Sequence, residues 1–142
     1  MEPVIKMRRW DLDAAKVEEV RARQAVQDRA RETQELGESI AEAETVLRRV
    51  HQDGASIDAQ LYTTLAMFLS VRRQDFEDKM EELRDAQRAH DETQQVVLGA
   101  KQKLNAMEKH KEAKRQENEI ENRREEQKQM DDLWLLRRER SE

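Results

Sequence analysis

Three histidines, His51, His90 and His110, and a large pool of Asp and Glu are the side chains best able to hold a metal or move a proton here. A zinc site draws its His, Cys or carboxylate ligands from short, characteristic spacings. These histidines stand apart, without matching carboxylate or Cys spacing, and the chain has no Cys at all. No metal site, disulfide framework or thiolate chemistry is expected. A Gly-rich phosphate loop, a Ser or Cys nucleophile set with His and acid, and a paired His motif are all missing. Carboxylates become catalytic when a concave, dry pocket displaces their pKa, and a charged helical chain offers none. The sequence therefore predicts neither an enzyme nor a cofactor.

The chemistry that remains is that of contact. Leu133-Trp134-Leu135-Leu136 is followed by Arg137, Arg138 and Arg140, and Trp beside Arg is a common composition at interface hot spots. Arg8-Arg9-Trp10 repeats that composition near the other terminus. A third patch, Leu61 to Val71, is apolar around most of a helix, more than one partner helix covers. If Leu65 and Leu69 face that partner, some of Tyr62, Met67, Phe68 and Val71 face elsewhere. They either pack over the end of the first helix near Leu47 and Val50 or form a docking patch. The Trp134 segment either folds back on its own helix or meets another protein.

The elements that carry these patches are helices. Charged residues make up 42% of the chain and aromatics 4%, with three Gly and one Pro. Aromatic side chains bury the most area each, and this few of them build no thick core. Dense charge with heptad spacing is a coiled-coil composition. The net charge of −5 is spread over interspersed acids and bases, which argues against nucleic acid. No stretch approaches the roughly 20 apolar residues of a membrane span, and Met1-Glu2-Pro3-Val4 lacks the basic start of a secretory signal. The expected location is the cytoplasm.

Asp53-Gly54-Ala55-Ser56 is where the chain is expected to turn. Gly54 suits the left-handed conformation that ends a helix, Ser56 suits an N-cap, and Asp58 places negative charge at the new helix's start. The reading is all-α: a first helix over 4–52, a turn over 53–56 and a longer second helix over 57–139, forming one antiparallel coiled-coil hairpin in which 108–139 overhang. In the first helix the seam runs Leu12, Ala15, Glu19, Ala22, Val26, Arg29, Thr33, Leu36, Ile40, Ala43, Leu47, Val50. It is apolar near the turn and polar in its middle, which predicts tight packing near the turn and loose packing in the middle. Gly37 either admits a close partner helix or is a tolerated surface glycine. In the second helix Tyr62, Leu69, Phe76, Leu83, His90, Val97 and Leu104 recur every seven residues, with companions Leu65, Arg72, Lys79, Ala86, Thr93, Ala100 and Met107. His90 reads as a polar residue that sets register. Reversal at Gly54 puts Leu12 opposite Val96 and Met7 opposite Lys101.

The stretch Arg123-Arg124-Glu125-Glu126-Gln127-Lys128-Gln129-Met130-Asp131-Asp132-Leu133-Trp134 resembles the C-terminal pattern of the FliJ/YscO/HrpO family: a basic pair, then Glu, then Lys, then an acidic pair before an apolar residue. Arg8-Arg9 and the hairpin layout agree. The resemblance implies a central stalk of a type III secretion or flagellar export apparatus, similar to the gamma subunit of rotary ATPases and peripheral to the membrane-embedded machinery. It implies that Arg8, Arg9, Trp10, Arg123, Arg124, Lys128, Asp131, Asp132, Leu133 and Trp134 face a hexameric export ATPase. It further implies that Tyr62, Leu65, Phe68 and Leu69 face the export gate membrane protein. Some members also handle secretion chaperones. Two other readings stand beside it: a structural coiled coil that self-associates through Leu61 to Val71, and a chaperone escort.

Overall fold

The structure, a computed structural model, describes residues 1–52 and 59–141. They form two helices, α1 (Glu2–Gln52) and α2 (Ala59–Ser141), with no strand among the described residues. The expected turn and its caps at Gly54, Ser56 and Asp58 lie outside the described residues. Local sequence accounts for both helices. Pro3 falls in the first turn of α1, where its missing N–H costs nothing. Acid–Arg pairs three residues apart bridge successive turns. Glu18–Arg21 at 2.9 Å and Asp28–Arg31 at 3.0 Å are two of them. Threonines, poor helix formers when unpartnered, donate back to the preceding turn. Thr45 donates to the Ala41 carbonyl at 2.9 Å. Thr63 donates to the Ala59 carbonyl at 2.8 Å.

The chain divides into two units. In the first, Ala14–Leu98, α1 packs along α2. Every residue of the expected α1 seam from Ala15 to Val50 is buried or half-buried, and so is every α2 seam residue from Leu65 to Val97. Tyr62 is the exception: it is 45% exposed and borders a groove with Leu47 and His51. The expected gradient of packing is not seen: Glu19, Ala22, Val26 and Arg29 in the middle are half-buried, as are the seam residues from Leu36 to Val50 nearer the turn. Leu47 and Val50, near the turn, are only half-buried. Thr33, in the polar middle, is 6% exposed, and its hydroxyl donates to the Arg29 carbonyl at 2.7 Å and the Lys79 carbonyl at 3.5 Å. A small side chain whose polar atom is bonded admits closer helix approach than a large aliphatic one.

Cross-helix pairs fix the register in this unit. His90 Nε2 lies 2.9 Å from Glu19, Lys79 lies 3.3 Å from Glu32, and Arg29 lies 3.7 Å from Glu82. A Cβ added to Gly37 would sit 3.3 Å from Phe76 Cε2, so this glycine does admit a close partner. Reversal at Gly54 would have set Gly37 against Val71 and Thr33 against Asp75. The observed pairing lies up to about one helical turn further along α2.

The second unit, Met1–Asp13 with Gly99–Glu142, holds the start of α1 against α2. Ile5 is 1% exposed, Leu12 8% and Leu104 9%. Arg9 reaches Glu108 at 3.4 Å, and Lys111 bonds to Glu2. Reversal at Gly54 would have set Glu2 against Ala106 and Arg9 against Gly99; their ion-pair partners lie five and nine residues further along α2. Beyond Lys111, every described residue of α2 is exposed.

Candidate interaction site

Two helices without a thick core can present chemistry only on their faces, and the expected contact residues fall into three groups. On α2, Arg123, Arg124, Lys128 and Asp131 border a shallow groove with Ile120 and Gln127. A second groove runs on from it past Met130 to Trp134. Asp132 and Leu133 are exposed beside it. Trp134 is 60% exposed, with the Arg138 guanidinium 5.3 Å from its ring centroid, within range of a cation–π contact. Arg123, Arg124, Lys128, Asp131 and Asp132 make no ion pair among the described residues.

At the start of α1, Trp10 is 76% exposed and Arg9 is tied to Glu108. Arg8 is half-buried and lies 3.9 Å from Asp11, with its Nε buried and unbonded. Trp10 and Trp134 are not brought together. Arg9 sits level with Glu108, and Trp134 lies about seven helical turns further along α2.

The third group splits by face. Leu69 is 3% exposed and Leu65 half-buried, so both hold the helix pair. Phe68, Met67 and Val71 are 43%, 65% and 61% exposed. Arg72 covers the Phe68 ring at 5.0 Å. Sequence reasoning did not single out Arg72 and Arg138 for this role. The signal was present: each stands four residues after an aromatic, one turn along the same helix face.

Displaced pKa values trace to ion pairs. The hydrogen bond from Lys111, then its charge, holds the Glu2 carboxyl below its ordinary value. The hydrogen bond from His90 does the same for Glu19. Hydrogen bonds to Glu82 and Glu32 raise Lys79. Arg115 lowers Glu112 and is itself raised. Among the described residues no cluster of His, Asp or Glu is able to hold a metal, and no helix is long and apolar enough to cross a membrane.

Fold and faces together define a two-helix interaction protein whose exposed aromatics lie on solvated helix surface. The family model of the flagellar FliJ protein matches residues 1–142, and the chain belongs to that family. No curated protein and no solved structure matches it. Membership implies a stalk-like role in flagellar or type III export, in association with components of the export apparatus, and the family is not a catalytic one.

Proposed function

We propose that the chain acts as one helical hairpin, the central stalk of an export apparatus, with the end that carries both termini set in a hexameric export ATPase. The observation that supports this reading is the exposed, unpaired Arg123–Trp134 face on a length of α2 that α1 does not cover. Trp134, Leu133 and the bases Arg123, Arg124 and Lys128 would make the contact, with Asp131 and Asp132 meeting cations of the ring; Arg8, Arg9 and Trp10 would add a second point. Such a stalk couples rather than catalyses. Touching six subunits unequally, it favours a different conformation in each and so biases nucleotide turnover around the ring. Coupling of this kind requires contact energies that differ between states. The opposite end would meet the export gate through Phe68 and Tyr62, held in place by Leu65 and Leu69. Escort of secretion chaperones fits the same exposed faces.

Stimulation of the purified ATPase tests the assignment. Trp134→Ala is expected to lower stimulation while helix content by circular dichroism stays unchanged, because the side chain is 60% exposed on a solvated length of α2. Stimulation equal to the wild type would refute this contact.

A further inference from the structure

We propose that residues 116–141 of α2 pair antiparallel with the same segment of a second copy of this chain. The seam that faces α1 does not continue here. Extended by sevens from Leu104, it falls on Lys111, Asn118, Glu125 and Asp132, none of them apolar. The apolar residues move to another series, Ala113, Ile120 and Trp134, interrupted by the polar Gln127, with Met130 at the companion position. That series is displaced by two residues, about 200° around the helix. It looks away from the side on which Leu104 and Met107 are covered. Ile120, Met130 and Trp134 are 50%, 69% and 60% exposed, with the two grooves lying between them. A heptad repeat on a face opposite to α1 is built for a different helix.

The charges identify that helix as another copy. In an antiparallel pair that layers Ile120 on Arg137, Arg123 on Trp134 and Gln127 on Met130 of the second copy, the flanking positions meet their own kind. Arg124 then opposes Asp131, Glu117 opposes Arg138 and Glu119 opposes Arg140, each twice by symmetry. None of these pairs sets like charges together. A parallel pair sets Glu126 against Asp131 twice. Arg123 gains the face of Trp134, a cation–π contact. The length fits as well. The described start of α1 is tied to Lys111 through Glu2, and the paired segment begins at Gln116, so the described part of α1 does not overlap it. The seam and flanking positions of 116–141 bring about sixteen residues a side into contact, below the roughly 20–30 of a standard-size interface and fitting a weak, concentration-dependent pair. On the stalk reading, the pair covers the residues assigned to the ATPase, and free chain would be held as a dimer until the ring displaces one copy.

Light scattering on the full chain across a concentration series, at low salt, tests the pairing. The wild type is expected to approach twice the chain mass as concentration rises. Arg124→Asp and Asp131→Arg each turn two opposite-charge pairs into like-charge pairs, weakening association roughly tenfold. Their equimolar mixture, and the double variant R124D/D131R, restore it, because each places opposite charges at 124 and 131 across the interface. Phe68→Ala leaves the dimer unchanged. Both charge changes lie on exposed helix, so circular dichroism should match the wild type. One chain mass at every concentration overturns the proposal; so does a dimer that both single variants leave intact, or two weakened variants that do not recover when mixed. The stimulation assay reads the ATPase contact on its own, so failure of the dimer leaves that assignment standing.

Discussion

Gly37 and Gly99 both interrupt long helices, and the structure separates their roles. A Cβ on Gly99 meets nothing within 4 Å, whereas one on Gly37 meets Phe76 at 3.3 Å. Gly99→Ala is expected to stabilise by about 1 kcal/mol, the full helix-propensity gain. Gly37→Ala should gain less, because the Phe76 ring must give by a few tenths of an ångström; shortening the ring by Phe76→Leu in that background should recover part of the difference in a double-mutant cycle. Denaturant titration reads both. Glu19 carries a pH dependence. Its bond to His90 holds the folded-state carboxyl below the ordinary value of 4.5. The unfolded chain therefore takes up this proton first as pH falls. The stabilisation is present above about 4.5 and is lost on descent through the folded value. Glu19→Gln should make the thermal midpoint fall less steeply between about pH 5 and 3; an unchanged slope would show that the bond contributes nothing in solution.

Adjacent positions on α2 should differ sharply in effect. Leu69 is 3% exposed and Phe68 43%. Leu69→Ala is expected to cost about 2–3 kcal/mol, through lost burial and the cavity left between the helices. Phe68→Ala should cost under about 1 kcal/mol, since it removes only surface packing and the Arg72 contact. Equal losses at the two positions would mean that the seam runs on a different face. Heptads place Leu69 in the seam by counting alone. They do not say which of Tyr62, Met67, Phe68 and Val71 the first helix covers, because that depends on where α1 ends relative to them. The structure leaves all four exposed.

At the scale of the molecule, surface outweighs interior. Among the described residues the buried apolar side chains are Ile5, Leu12, Ala15, Leu69 and Leu104. Residues 112–141 are all exposed. A chain ending at Lys111 should therefore keep a thermal midpoint within a few degrees of the full protein. It should lose helix signal in proportion to its length, and it should fail to stimulate the ATPase. A large fall in the midpoint would show that the distal helix supports the rest.

Much of this was legible in the residues alone. Two long helices, the second outrunning the first, and the seam residues from Ala15 to Val50 and Leu65 to Leu104 follow from periodicity, because burial on a helix repeats every three to four positions whatever it packs against. The exposed apolar patches showed as apolar residues in excess of one seam. Register was decided only in three dimensions: Gly37 meets Phe76 and Thr33 meets Lys79, up to a turn beyond what reversal at Gly54 suggested. Periodicity carries no information about sliding by whole turns. That is settled by single cross-helix partners, such as Glu19 with His90, which only the paired structure supplies.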